Sequence, residues 1–420
     1  PGSPSSFKIV WRTLHPTATA ETHNHPTLIA PYPGAATGAG GRIRDNCAGG
    51  QGSLTGFGIA GYCIGNLFIP GYKIAGEVVG GEVSDKHATP LRILIEGSNG
   101  ISDYGNQYGE PLGCGFARTF CQKVSDQRRE FRKPVLYSGG VGHIDGSHTK
   151  KHTPEKGMLI VAIGGPAYAI GEGGGAASSM VQGQNDAGLD FKSVQRGNGE
   201  MGNKAVRVIR ACVEMGDENP IESIHDQGAG GPSNVLTELM ETVGGKVDIR
   251  QIVLGDKTMS VLSIWSAEYQ ERYGLLIRPD KAELFQDICA RERVNCEMLG
   301  EITCDGHVTV IDSANSTTPV HLNLPDILGK LPQKTFKSDH LPRSFNSPEL
   351  PSNLTPEKAI EIVFQQLSVG SKGFLVRKID RSVGARVVQQ PCCGPSQVPI
   401  ANVAVLADGY FGLTGEASAI

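Results

Sequence analysis

Apolar residues recur along this 420-residue chain in two rhythms, and the switches between them predict alternating strands and helices. Residues 158–163 are almost continuously apolar and stop at Gly164-Gly165-Pro166, as a strand buried on both faces does. Residues 91–95 and 133–137 are rich in strand-forming side chains and predict two more strands. Across 201–215, by contrast, Ala205, Val206, Ile209, Cys212 and Val213 recur at helical spacing while Arg207 and Arg210 fall off that face. Helices are also predicted at 233–242 and 280–292, and a strand at 308–311. Residues 222–232 read as a strand end opening into the loop His225-Asp226-Gln227-Gly228-Ala229-Gly230-Gly231. Thr355-Pro356-Glu357 offers an N-cap and a first-turn proline, and Ile360, Val363, Phe364 and Leu367 continue that helix.

This pattern predicts an α/β chain with α+β layers and more than one core, because a single core of this length is unusual. Residues 1–150 form a first domain of short extended segments and Gly/Pro turns, and 151–315 a second. Residues 316–350 lie within a stretch rich in Ser, Pro, Asn and Thr and read as a linker, and 351–420 as the truncated start of a further unit. The opening Pro1-Gly2-Ser3-Pro4-Ser5-Ser6, without Met, reads as an expression scar or the interior of a longer polypeptide, so the chain is expected to be an excerpt. No internal repeat is evident.

Composition narrows the classes. The formal charge of -4 supplies no basic field for nucleic acid. No apolar run reaches transmembrane length, so no membrane partner is expected. Ten dispersed cysteines with no C-x-x-C pair, and no signal peptide, predict reduced thiols in a cytoplasmic protein. Adjacent Cys392 and Cys393 read as packing residues. The 56 glycines, roughly twice ordinary usage, cluster at 34–50, 138–142, 164–175 and 228–231 and predict backbone-lined loops.

The chemistry concentrates near the start. Glu21-Thr22-His23-Asn24-His25-Pro26 is followed by Gly34-Ala35-Ala36-Thr37-Gly38-Ala39-Gly40-Gly41-Arg42-Ile43-Arg44-Asp45. If the first run is extended, Glu21, His23 and His25 share one side, and Pro26 disfavours helix before it. Glycines at 34, 38, 40 and 41 suit a loop whose backbone N–H groups approach a polyphosphate. These parts suggest an enzyme handling a nucleotide, a metal and a proton. The alternatives are a zinc site, which lacks a third strong ligand nearby, or satisfied histidines beside a Gly-rich turn.

These runs, together with Gly109-Glu110-Pro111, Cys114-Gly115-Phe116-Ala117-Arg118, Gly171-Glu172-Gly173-Gly174-Gly175-Ala176-Ala177-Ser178-Ser179, Val194-Gln195-Arg196-Gly197, the His225–Gly231 loop and Ala267-Glu268-Tyr269-Gln270-Glu271-Arg272, occur in one order. In that order they resemble phosphoribosylformylglycinamidine synthases of the large, single-chain type. Lys378-Ile379-Asp380-Arg381-Ser382-Val383-Gly384 and Gly394-Pro395-Ser396-Gln397-Val398-Pro399 resemble the start of that family's second repeat.

The resemblance implies aminoimidazole-ribonucleotide-synthetase-like N- and C-terminal halves forming one unit, plus the opening of a second copy. It implies ATP-dependent amidation of formylglycinamide ribonucleotide: the amide oxygen is phosphorylated, and ammonia from a glutaminase domain displaces phosphate. ATP and Mg²⁺ are the implied cofactors, and the second synthetase repeat and an upstream linker with a catalytic histidine the implied partners. By resemblance, Thr22, His23, Asn24, His25, Arg44, Gln195, Glu268, Tyr269 and Gln270 contact the ribonucleotide. The Gly34-to-Asp45 run and Cys114, Gly115 and Phe116 approach ATP. Glu21, Asp45 and Asp226 are suitable hard ligands for the metal, and His23 is the candidate catalytic residue, taking a proton near neutrality. Bland roles stand beside these: Gln195 as a helix cap, Glu268 and Gln270 as strand-surface contacts, Asp226 as an Asx-turn residue, and Gly171–Ser179 as a helix–strand contact. A catalytically silent relative serving as an interaction module, and another ATP-using member of the aminoimidazole ribonucleotide synthetase superfamily, are the rival classes.

Overall fold

The computed structural model describes residues 11–78, 86–124, 126–180, 186–330, 332–340, 342 and 347–420. The opening Pro1-to-Ser6 run and parts of the expected linker lie outside the described residues.

The first layer runs β1 (Leu14–Thr22), α1 (Asn24–Ile29), α2 (Pro31–Cys47), β2 (Leu54–Ile64), α3 (Pro90–Tyr108), β3 (Leu112–Thr119), the ribbon β4 (Cys121–Val124) and β5 (Gln127–Glu130), then β6 (Val135–Asp145). Its sheet has the order β1-β6-β2-β3, antiparallel except for the β2–β3 pair. That parallel pair needs a crossover, and α3 lies on it.

Two expectations fail here. Residues 91–95 are helical, not extended: Thr89 caps α3 by accepting from the Arg92 N–H, Pro90 occupies the first turn, and Ile93, Leu94, Ile101, Tyr104 and Tyr108 form one buried face. A 19-residue amphipathic pattern outweighs five strand-favouring residues. The Gly34–Asp45 run is no loop; it lies within the 17-residue helix α2. Its glycines serve close packing. A Cβ at Gly34 would stand 2.4 Å from the Pro26 carbonyl carbon, and one at Gly40 would stand 2.7 Å from the Tyr104 ring.

The second layer comprises β7 (Leu159–Gly164), α4 (Gly174–Ser179), α5 (Ala187–Lys192), α6 (Gly199–Val213), β8 (Ile221–Asp226), α7 (Pro232–Leu239), β9 (Gly245–Asp248), α8 (Val261–Ser266), β10 (Arg272–Ile277), α9 (Ala282–Glu292), β11 (Asn295–Ile302), β12 (His307–Asp312) and β13 (Thr317–Asn323). The sheet order is β13-β12-β9-β11-β7-β10-β8. The continuous apolar run of β7 is explained by its two faces. Val161 and Ile163 join a core with α2, α3 and α6, while Ile160 and Ala162 join one with α7. The expected linker is also corrected at its start, because β13 pairs with β12 and α10 (Leu324–Leu328) follows it.

The C-terminal segment holds α11 (Pro356–Gln365), α12 (Gly373–Val376), β14 (Val387–Gln389), the pair β15 (Cys392–Cys393) and β16 (Val398–Pro399), and the hairpin β17 (Ala404–Ala407) and β18 (Gly415–Ser418). It docks on the first layer: the Leu112 N–H donates to the Asp380 carbonyl at 3.0 Å, and Ala404 and Leu406 pack on Phe57. Among the described residues no helix is long and apolar enough to cross a membrane.

Candidate active site

Where the two layers meet there is a cleft of about 490 Å³. Its lining joins Glu21, Thr22, His23, Asn24, His25, Thr37, Gly41, Arg44 and Asp45 from one layer to Gln195, Asp226, Glu268 and Gln270 from the other. Residues more than 200 positions apart in sequence thus converge on one space.

The β1–α1 elbow sets the first group. β1 ends at Thr22, and His23 occupies the N-cap position of α1, its N–H donating to the Leu136 carbonyl at 3.0 Å. Asn24 Oδ1 accepts from the Leu136 N–H at 3.0 Å, so this side chain fastens the elbow to β6 while it lines the cleft. The expected shared face of Glu21, His23 and His25 is overturned at its last member. His25 lies inside α1, is buried, and sets Nε2 3.3 Å from Asp190. This turn also removes the sequence-based zinc reading.

His23 is the hub of a polar chain. Its Nε2 is 3.1 Å from Gln195 Oε1, and Gln195 Nε2 donates to Glu268 Oε2 at 2.5 Å. Glu268 Oε1 accepts from the N–H groups of Gly175 (3.4 Å) and Gly230 (3.2 Å). With the Gln195 amide nitrogen turned to Glu268, its oxygen faces His23 Nε2, which carries the hydrogen. Nδ1 is left facing Glu21 Oε1 at 3.7 Å. Burial pushes the Glu268 carboxyl up, and the two glycine N–H groups oppose that shift. Gln195 is therefore no helix cap: Asn198 caps α6. The Gly171–Ser179 run, in turn, packs against Glu268, since a Cβ at Gly174 would stand 2.7 Å from Glu268 Oε2.

A second group is acidic. Withdrawal from bulk water in the cleft, and then the Asp226 and Glu21 carboxylates, push the Asp45 carboxyl up to about 8, against the pull of Arg44. Asp45 remains open to the cleft, so its like-charged neighbours are the part of this shift that a bound cation would cancel. Glu21 Oε2 is buried without a hydrogen-bond partner. An orphaned carboxylate oxygen in a cleft shared with two aspartates fits a hard divalent cation held in part through water, because the three carboxylates do not all lie within 4.8 Å of one another.

Arg44 crosses between the layers. Its Nη2 donates to Gln270 Oε1, its Nη1 lies 3.6 Å from Glu271, and Nε and Nη1 are buried without a hydrogen-bond partner. Tyr104 donates to the same Glu271 carboxylate at 3.1 Å. Sequence reasoning passed over Glu271, Tyr104 and Lys133, whose ammonium lines the cleft and donates to the Ser178 carbonyl at 2.8 Å. An isolated Tyr or Lys carries no spacing signal, and the Ala267–Arg272 motif that contains Glu271 does not say what that carboxylate meets.

Other expected contacts fall elsewhere. Tyr269 is a core residue: its hydroxyl donates to the Ile264 carbonyl at 3.1 Å and its ring is buried between Glu268 and Gln270, which face the cleft. The three residues precede β10 in an irregular segment that bends at Gln270, so neighbours in sequence are turned to different sides. Of the Gly34-to-Asp45 run only Thr37, Gly41, Arg44 and Asp45 reach the cleft. Ala35, Ala36, Ala39 and Ile43 are core, and Arg42 pairs with buried Glu110. Interior helical N–H groups are already bonded, so Gly34, Gly38 and Gly40 cannot cradle phosphates as a loop would. Cys114, Gly115 and Phe116 lie on β3 and border a separate cavity of about 470 Å³ facing Ser368 to Val376.

Comparison with known proteins agrees with this layout. Residues 155–313 match the AIR synthase related protein, C-terminal domain, and residues 371–420 match the FGAR-AT PurM_N-like domain. The chain is 48% identical to the probable phosphoribosylformylglycinamidine synthase, chloroplastic/mitochondrial, of Arabidopsis thaliana, with 100% of this chain and 31% of that protein aligned. It is 45% identical to the Homo sapiens phosphoribosylformylglycinamidine synthase, over 100% of this chain and 33% of that protein. The chain thus spans about a third of the length of these curated relatives. A structure of T. maritima PurL complexed with FGAR superposes with a TM-score of 0.64 at 22% identity, covering 94% of this chain and 55% of that one. T. maritima PurL complexed with ATP gives 0.61 at 19% identity over 94% and 54%. These likenesses show the shared fold.

Proposed function

Because this chain belongs to the phosphoribosylformylglycinamidine synthase family, we propose that its cleft serves ATP-dependent amidation of formylglycinamide ribonucleotide within a longer polypeptide. Ammonia is supplied from glutamine by a glutaminase domain, and the second synthetase repeat and upstream linker complete the enzyme. In this reaction the substrate amide oxygen takes the γ-phosphoryl group of ATP, releasing ADP. Ammonia then adds to the activated carbon, a proton leaves the nitrogen, and inorganic phosphate departs to give the amidine.

The observation that carries this reading is the chain from Glu21 through His23 and Gln195 to Glu268, opposite Asp45 and Asp226. Gln195 holds the ring hydrogen on Nε2, so Nδ1 is the atom that takes the proton from the adding amine. Glu21, beside it, stabilises the imidazolium that results. Arg44, whose Nε has no hydrogen-bond partner and whose Nη1 has only the Glu271 carboxylate at 3.6 Å, offers its charge to an anionic substrate group, and Lys133 adds a second cation. Glu21, Asp45 and Asp226 would hold Mg²⁺, which supplies charge neutralisation at transferring phosphoryl oxygens. A cleft of about 490 Å³ lies in the range that encloses ribonucleotide-sized ligands.

The test is His23→Ala in the intact enzyme, assayed with free ammonia so that glutaminase activity is bypassed. A fall of roughly 10²–10⁴-fold in kcat with an unchanged melting curve is expected from removing a general base. Near-normal ammonia-dependent turnover would overturn the assignment.

A further inference from the structure

We propose that His143, Asp408 and Glu416 form a second metal site, remote from the cleft, that takes Zn²⁺ or a similar borderline divalent ion and ties the C-terminal hairpin to the first sheet. One donor atom from each residue lies within 4.8 Å of the others. His143 is on β6, opposite Leu54 of β2, Glu416 is on β18, and Asp408 lies just past the end of β17.

Three features point to an ion and not to a simple ion pair. Glu416 Oε1 meets His143 Nδ1 at 3.0 Å, but Glu416 Oε2 is buried without a hydrogen-bond partner. The backbone makes room for that oxygen: β2 slips register between Thr55 and Phe57, and a Cβ on Gly56 in the slip would stand 2.7 Å from Oε2. His143 and Asp408 also border a cavity of about 160 Å³, lined besides by Asp145 and Glu214 and by Arg12 and Arg210, so these two donors are not sealed in the core. Glu416, like His143 and Asp408, is only partly buried, but its unfilled oxygen is shut off from water, and leaving it so beside a second carboxylate and an imidazole is unfavourable without a cation.

The donor set selects the class of ion. A neutral imidazole and two carboxylates carry two negative charges, which a divalent cation balances. Imidazole nitrogen favours Zn²⁺, Co²⁺ or Ni²⁺ over Mg²⁺ and Ca²⁺, which prefer oxygen alone. Three protein donors leave one position for water, as in open zinc sites. Binding at Nδ1 moves the ring hydrogen to Nε2, and the ring releases no net proton. Ala404 and Leu406 of the same hairpin pack on Phe57 beside the site, so the ion would reinforce an apolar seat already present.

The intact protein, stripped with a chelator, is titrated with Co²⁺ and then with Zn²⁺ against a chromophoric competitor. Wild type is expected to bind one equivalent more than His143→Ala and Glu416→Gln. That equivalent should show weak visible Co²⁺ bands of nitrogen and oxygen ligation without thiolate charge-transfer absorption. Asp408→Asn should weaken binding tenfold or more. Glu416→Gln still accepts from the ring N–H, so its metal-free melting curve and ammonia-dependent turnover should match wild type, while Zn²⁺ should raise only the wild-type midpoint. Equal stoichiometry and equal Co²⁺ spectra in wild type and both variants would overturn the site.

Discussion

Gly41 offers a sharp test, because one methyl group there should separate stability from catalysis. A Cβ at Gly41 would stand 2.3 Å from Glu21 Oε2, 3.2 Å from Cδ and 3.4 Å from Oε1. Every close atom belongs to the end of one side chain, so Gly41→Ala displaces a carboxylate and leaves the packing of helix on strand intact. Restoring ordinary contact requires a retreat of about 1 Å. In the helix interior alanine is favoured over glycine by about 1 kcal/mol, which offsets much of the disturbance to a half-buried carboxylate, at most about 1–3 kcal/mol. Net stability should therefore change by less than about 2 kcal/mol. Turnover should fall much further. Glu21 faces His23 Nδ1 and helps raise the Asp45 carboxyl, and a 1 Å misplacement in such a group costs on the order of 10²-fold. The pair of assays is urea denaturation and ammonia-dependent turnover of the intact enzyme. Full kcat with unchanged stability would refute the role of Glu21, and loss of the folded state would refute the account of the contact. Gly34→Ala supplies the contrast: its Cβ would meet Pro26 backbone at 2.4 Å, and that variant should lose stability first.

Three further outcomes follow from the same geometry. The Asp45 carboxyl is raised to about 8, so the folded chain holds that proton more tightly than the unfolded one. This contribution is complete below the unfolded value near about 4 and is lost as pH rises through about 8. The midpoint of the metal-free protein should fall between about pH 5 and 8, Asp45→Asn should flatten the fall, and millimolar Mg²⁺ should restore the midpoint at the alkaline end; superimposable curves for variant and wild type would refute it. Arg42→Leu leaves Glu110 buried without its partner and should cost about 3–5 kcal/mol in urea titration; a loss under about 1 kcal/mol would show that the pair contributes little. Gln195→Ala removes the partner that sets the His23 tautomer, worth about 1.5–3 kcal/mol, so kcat should drop roughly 10–100-fold with a shifted pH profile, and an unshifted profile would reduce Gln195 to packing.

The contrast between what was legible in the sequence and what was not has a physical basis. Periodicity marked β7, α6 and α9 because each buries a regular face or both faces of one element, and it marked α11 by spacing alone, since Ile360, Val363 and Phe364 there are exposed. Ordered motifs brought Glu21, His23, Gln195, Asp226 and Glu268 to one cleft. Glycine misled at α2, since the same residue serves a turn, a phosphate loop or a close helix contact, and only the partner distinguishes them. The partners here, Pro26, His23, Tyr104 and Glu21, are tertiary neighbours. Tyr269 was misplaced because a motif does not say which of its residues face inward. Glu271 stood in the same motif without a role, for another reason. Its value lies in meeting Arg44 and Tyr104 from the other layer, a coincidence that exists only after folding.

The unsatisfied groups of the cleft say something that no single residue does. Native proteins leave few buried polar atoms without hydrogen bonds, yet this cleft holds them in both signs: an acceptor at Glu21 Oε2 and donors at Arg44, where Nε has no partner and Nη1 only the Glu271 carboxylate at 3.6 Å. An anionic ligand alone would satisfy the guanidinium and worsen the repulsion among Glu21, Asp45 and Asp226. A cation alone would quiet the carboxylates and leave the donors empty. A phosphorylated ligand accompanied by a divalent cation meets both demands, and Arg44 is well placed to couple them because Gln270 and Glu271 fix its guanidinium from the opposite layer. Binding at the cleft should therefore be cooperative between cation and phosphate, each strengthening the other by the same factor, as linkage requires.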